Sequence, residues 1–158
     1  MRIYLLRHGI AEDGIGKRDS ERALTDEGKR KLRDLLNLAK HAGVEPSLVM
    51  SSPYRRAVET ARIAIDVLGY QGPLVESTSL TPDSSPQSAW SDLRIHSSED
   101  SVLLVGHEPL FSALSAFLLG YPSLSIDFKK GALLCLDLHS VRPQPAGLLK
   151  WFINPKFS

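Results

Sequence analysis

The residues that invite a chemical reading are Arg7, His8, Arg55, Arg56 and His107, because each follows closely on a short apolar run. Ile3-Tyr4-Leu5-Leu6 stops at Arg7-His8-Gly9, Leu48-Val49-Met50 is followed by Ser51 to Arg56, and Val102-Leu103-Leu104-Val105 stops at Gly106-His107. A phosphoryl group in transit spreads negative charge over its oxygens, so moving it requires cations and donors placed around it. A guanidinium forks onto two oxygens at once, and a neutral imidazole can itself accept the phosphoryl group. A second imidazole can donate to the same oxygens. No acidic cluster accompanies these residues and two histidines alone under-ligate a metal ion, so no metal and no cofactor is expected.

These side chains can act together only if the fold brings the three run ends to one place. Four apolar residues in succession suit a strand buried on both faces. Burying an unpaired guanidinium is far too costly. Arg7 and His8 therefore belong at the open carboxyl end of the first strand, where α/β sheets collect ligands. Gly9 then lets the backbone approach a ligand closely or take a positive φ. Helical patterns lie between the runs. Thr25-Asp26-Glu27 opens one, with Thr25 as N-cap, Leu32, Leu35, Leu36 and Ala39 on one face, and Gly43 at its end. A second covers about Arg55 to Leu68, with Ala57, Ala61, Ala64, Ile65 and Leu68 as its stripe and Gly69 as its stop. Arg56 thus falls in a first turn, where free backbone amides attract anions.

Pro86 starts a short helix carrying Trp90 and Leu93, and Pro109 starts an apolar one from Leu110 to Leu119. Ile10 to Arg22 and Ser77 to Pro86 read as loops, and Leu74-Val75-Glu76 as a short strand. Ala132 to Leu138 and Leu148 to Ile153 read as an antiparallel pair at one side of the sheet. The alternation predicts an α/β fold, a three-layer α/β/α sandwich whose central sheet is mostly parallel with an antiparallel edge. In a parallel sheet the three run ends share one edge. Two histidines and two or three arginines would then converge on a single crevice.

Composition narrows the function classes. The chain has 158 residues, 42% hydrophobic and 23% charged, as one ordinary globular domain spanning 1–158 would. A formal net charge of +1 gives no reason to expect a nucleic-acid or membrane partner. The single Cys135 lies in an apolar stretch and rules out an internal disulfide. The first apolar run is too short for a signal peptide, and no run approaches the ~20 residues of a membrane span. A cytoplasmic, soluble protein is expected.

Four segments together resemble a known family. Arg7-His8-Gly9, Leu24-Thr25-Asp26-Glu27-Gly28, Ser52-Pro53 with Arg56-Ala57-Val58-Glu59-Thr60-Ala61, and Val105-Gly106-His107-Glu108-Pro109 occur in that order. They are similar to the motifs of the histidine phosphatase superfamily, the phosphoglycerate mutase-like fold. Leu80-Thr81-Pro82, the short chain and the ending Leu149-Lys150-Trp151-Phe152-Ile153-Asn154-Pro155-Lys156 resemble the small SixA-type phosphohistidine phosphatases within it. The resemblance implies that His8 is the phosphorylated nucleophile, that Arg7 and Arg56 hold the phosphoryl oxygens, and that His107 is the second, stabilising histidine. It also implies phosphate contacts from Arg22 and Gly9, and no cofactor.

Larger relatives place a glutamate to protonate an alcohol leaving group. Glu76 is the one candidate for such an acid here, earlier in the chain than the family pattern would have it, with Thr81 and Asp83 in the loop after it. Without that acid an alkoxide leaves poorly, whereas a labile P–N bond needs less help. The expected substrate is therefore a phosphohistidine-bearing protein such as a phosphotransfer domain, with inorganic phosphate or sulfate as simpler occupants of the site. Two other readings are a broad-specificity or sugar-phosphate phosphomonoesterase on the same site and a non-catalytic phosphoprotein-binding module.

Overall fold

Successive residues of the apolar runs face opposite ways, and each run feeds two cores. In the computed structural model, which describes residues 1–155, strand β1 (Arg2–Arg7) sends Ile3 and Leu5 to one face and Tyr4 and Leu6 to the other. The strands β2 (Leu48–Ser51) and β4 (Ser101–Gly106) divide in the same way, which is why they carry no polar alternation. Helices α1 (Asp26–His41) and α2 (Arg55–Leu68) cover the Tyr4 face, and α3 (Pro86–Ile95) and α4 (Leu110–Leu119) cover the Ile3 face. Full burial of a leucine or isoleucine contributes about 1.5–3 kcal/mol, so these two faces carry most of the stability.

One six-stranded sheet runs β3-β2-β4-β1-β5-β6, with β3 at Leu74–Glu76, β5 at Leu133–Ser140 and β6 at Ala146–Ile153. The pairs β3–β2, β2–β4 and β4–β1 are parallel, and β1–β5 and β5–β6 are antiparallel. This is the three-layer α/β/α arrangement the alternation predicts, with the antiparallel edge attached directly to β1. Parallel pairing sets Arg7 level with Gly106, and the amide of His8 donates to the Gly106 carbonyl at 2.9 Å. His8 and His107 consequently leave the sheet at the same height.

Two details differ from the sequence reading, and one residue of it goes untested. The buried stripe of α2 includes Thr60, Ile63 and Val67, while Ile65 is only half-buried, because the helix packs against both the sheet and α1. Each expected loop contains a 3-10 turn, at Asp19–Glu21 and Thr78–Leu80, and the second inserts Leu80 into the core. Of the terminal segment that resembles the small phosphatases, Lys156 lies outside the described residues.

The start of α1 is the clasp on the chain leaving β1. Thr25 caps the helix by accepting the Gly28 amide at 3.0 Å, and its own amide donates to the Ile10 carbonyl at 2.9 Å. A Cβ on Gly28 would stand 2.3 Å from the Ile10 carbonyl oxygen and 3.0 Å from its nitrogen. Both are backbone atoms just after His8-Gly9, so neither can yield without moving that segment. Gly28→Ala is expected to lose about 1–3 kcal/mol of stability, whereas Lys29→Ala, one position on and exposed, should stay within about 0.5. Urea unfolding of the two variants checks this, and equal losses would overturn the close-approach account.

Candidate active site

His8 is only 5% exposed, and its Nδ1 lies 2.7 Å from the Gly9 carbonyl. A carbonyl can only accept, so Nδ1 carries the proton and Nε2 keeps its lone pair. The Nε–H of Arg56 points at that Nε2 from 3.3 Å. His107 is 1% exposed, its ring centroid lies 5.0 Å from that of His8, and its Nε2 lies 2.8 Å from Ser52 Oγ. Ser52 Oγ accepts the Tyr54 amide at 3.2 Å, which leaves its hydroxyl hydrogen free to donate to Nε2, and in that arrangement the proton of a neutral His107 sits on Nδ1. That Nδ1 is buried and makes no hydrogen bond within the described protein, and neither does Arg7 Nε. Buried donors left in this state call for an acceptor.

The arginines are fixed from opposite sides. Arg7 donates through Nη1 to the Phe128 carbonyl at 2.7 Å. Arg56, with its side chain 6% exposed, donates through Nη1 to the Asp19 carbonyl at 2.7 Å and through Nη2 to Asp19 Oδ2 at 3.2 Å. The Tyr54 ring backs the pair, edge-on to His107 at 5.1 Å and 5.2 Å from the Arg56 guanidinium carbon.

Arg7, His8, Arg56 and His107, drawn from three strand ends, therefore cluster at one edge of the sheet, in a crevice at whose side the cleft beside Arg7 opens. Arg22 does not face the histidines; it donates to the Glu12 carbonyl at 2.7 Å and to Asp19 Oδ1 at 3.0 Å, and so braces Asp19. Gly9 lacks a positive φ, and its amide is taken by Thr60 Oγ1 at 3.2 Å. Its missing side chain serves helix packing, since a Cβ there would meet Leu32 Cδ1 at 2.7 Å. Glu76 is exposed at the end of β3 and lines a separate cleft with Arg55 and Glu59. Arg55 sits 3.7 Å from Glu59 at the rim.

Asp19, Ser52, Tyr54 and Thr60 are the positioning residues that sequence reasoning did not single out. Ser52 and Thr60 lie inside the motif segments, and their spacing was the available signal. Asp19 lies in a polar loop with no periodicity, where nothing marks it.

Burial pushes the imidazole of His8 down to about 2, with help from His107, Arg56 and Arg7, and the Gly9 carbonyl opposes the shift. Burial likewise pushes His107 down to about 3, with Arg56 and Arg7 adding to it and Asp19 opposing. Arg7 is pulled below its usual range by burial, with Glu108 opposing. Desolvation works to raise the Asp19 carboxyl, but hydrogen bonds from Arg22 and Arg56 outweigh it and hold the group below the usual carboxylate range. Two cations and two buried ring or guanidinium nitrogens without partners suit the oxygens of a tetrahedral oxyanion, and the imidazole lone pair suits attack on its central atom.

The family model of the histidine phosphatase superfamily (branch 1) matches residues 3–81. The chain belongs to that superfamily and is a phosphatase of its class. Within it, the chain is 32% identical over 118 residues to the phosphohistidine phosphatase SixA of Escherichia coli (strain K12), covering 73% of each. The structure of the protein histidine phosphatase SixA complexed with tungstate matches with a TM-score of 0.87 and 28% identity, over 98% of this chain and 97% of that one. The α-ribazole phosphatase of Shigella flexneri shares the fold, with a TM-score of 0.73 and 19% identity over 100% of this chain and 98% of that one. Among the described residues no helix is long and apolar enough to cross a membrane.

The buried histidines make stability depend on pH. In the unfolded chain both imidazoles protonate at about pH 6.5, whereas in the fold they stay neutral down to about 2 and about 3. Below the unfolded value the unfolded chain binds more protons, so stability falls as pH falls, by about 1.4 kcal/mol per pH unit for each group. Urea midpoints measured from pH 6 to 4.5, above most carboxylate titration, are expected to drop steeply. His107→Gln should remove about half of the slope; an unchanged slope would place the loss in other groups.

Proposed function

We propose that the chain is a phosphohistidine phosphatase working through a phosphorylated His8. The observation that carries this reading is a neutral His8 Nε2, with the Nε–H of Arg56 aimed at it, while the carboxylates of the neighbouring segments are taken up elsewhere, Asp19 by Arg56 and Arg22 and Glu108 by Ser112. Asp19, the carboxylate on Arg56, is held ionised, and Glu76 stands outside the crevice. An alkyl ester would leave as an alkoxide without an acid to protonate it. A phosphohistidine leaves as an imidazole.

In the first step His8 Nε2 forms a bond to phosphorus as the substrate P–N bond breaks. The substrate imidazole departs neutral, the proton it needs having entered from solvent at its other ring nitrogen. Arg7, Arg56 and His107 Nδ1–H hold the three phosphoryl oxygens as charge shifts between them. Water then attacks phospho-His8, inorganic phosphate leaves, and Nε2 regains its lone pair. Transfer from one imidazole to another is nearly balanced in free energy, so placement and electrostatics suffice. The likeness to SixA, whose structure holds tungstate, a tetrahedral oxyanion, supports this reading.

The test pairs two substrate classes with two variants. Wild type should release phosphate from a phosphohistidine-bearing phosphotransfer domain far faster than from alkyl or aryl phosphomonoesters. His8→Ala should lose at least about a thousandfold in rate, and Glu76→Gln should stay within about twofold of wild type. Preferential turnover of monoesters, lost in Glu76→Gln, would move the function to a metabolite phosphatase. Binding of the phosphorylated domain with no turnover of either class would favour a binding module.

A further inference from the structure

The segment joining α4 to β5 touches the crevice in a way the chemistry above does not use. Its Phe128 carbonyl holds Arg7, and the Gly131 amide donates to the Arg7 and His8 carbonyls at 3.2 and 3.0 Å. Phe128 is 2% exposed and packs against the rings of Phe111 and Phe152. Asn154, just past β6, ties down the other side: it accepts the Lys129 amide at 3.2 Å and donates to the Asp127 carbonyl at 3.0 Å. The backbone that presents Lys129 and Lys130 is therefore anchored to both β1 and the end of β6.

Those two lysines, with Lys31 of α1, line a cleft of about 440 Å³ that opens beside Arg7 and includes one carboxylate, Asp127. Lys129 pairs with Asp127 at 2.8 Å and Lys31 with Glu27 at 3.0 Å, while Lys130 is exposed and makes no ion pair among the described residues. A second cleft, which shares Lys31 and Pro155 with it, is lined by Leu35, Leu38 and Ile153 and by one further carboxylate, Asp34, and Leu38 is 57% exposed. The opposite flank differs in sign, because Glu21, Glu59 and Glu76 there outnumber Lys17 and Arg55. A chain of net charge +1 thus carries a basic flank and a mildly acidic flank on either side of one crevice. Lysines are flexible point charges, suited to a spread of carboxylates rather than to forked recognition of one phosphate.

We propose that Lys31, Lys129 and Lys130 form a docking surface for an acidic face of the phosphorylated protein, one that sets carboxylates and an apolar side chain beside its phosphohistidine. The inference rests on the phosphohistidine reading. A rigid basic flank orients and speeds the encounter while leaving the chemical step to the crevice.

The experiment compares kcat/KM for a phosphohistidine-bearing protein with that for free phosphohistidine, in wild type, Lys129→Glu/Lys130→Glu, Lys130→Ala and Lys40→Glu. Lys40 lies in the last turn of α1 and supplies a lysine-to-glutamate change, half the size of the double variant's, away from the cleft. The ratio of protein to free substrate should fall at least about tenfold in the double variant, mainly through KM, and less in Lys130→Ala. The decline of protein turnover with added salt should flatten in the double variant. Lys40→Glu should leave the ratio at the wild-type value. An unchanged ratio, or an equal loss on both substrates, would overturn the docking assignment. Failure of wild type on both phosphohistidine substrates would instead remove the underlying reading, and the docking inference with it.

Discussion

Two guanidinium groups, Arg56 buried and Arg7 half-buried, beside two neutral imidazoles are the arrangement on which the rest of this structure depends. Cations taken out of water cost several kcal/mol each unless they are paired or hydrogen-bonded. Arg56 recovers part of that through Asp19, and Arg7 through a single carbonyl, that of Phe128. The imidazoles answer the same field by staying uncharged. Such an arrangement attracts an anion, and sites of this kind commonly give up stability for function.

The scaffold holds this arrangement with ordinary means. Parallel pairing of β1 with β4 levels the two histidines, and the adjacent β2 delivers Ser52 and Arg56 to the same edge. Behind them lie side chains committed in chains: Arg22 holds Asp19, which holds Arg56, and Thr60 accepts the Gly9 amide while donating to the Arg56 carbonyl. Such support fixes the orientation of the groups proposed to meet the phosphoryl oxygens. The Gly28 contact with the Ile10 backbone gives the Thr25–Gly28 motif a mechanical reason.

The membership in the histidine phosphatase superfamily and the features of the crevice bear on different questions. Membership establishes phosphatase chemistry, while relatives of this fold include both a phosphohistidine phosphatase and an α-ribazole phosphatase. Choice of substrate turns on which carboxyls can give a proton and on what the rims of the crevice attract. Asp19 and Glu76 bear on the first, and the unlike charge of the two flanks bears on the second.

Arg7, His8, Arg56 and His107 were legible from the amino-acid sequence because each follows an apolar run, and a buried strand cannot continue through a charge. The layers of the fold were legible for a related reason, since helices and strands write their burial into the chain with fixed periods. The placement of Asp19, the commitment of the Gly9 amide to Thr60, and the exposure of Glu76 outside the crevice were not. These depend on loops and on contacts such as Arg7 with Phe128, 121 residues apart, and no local period encodes them. Local pattern determined which residues reach the edge of the sheet; only tertiary packing decided which way each one points, because that depends on partners supplied from elsewhere in the chain.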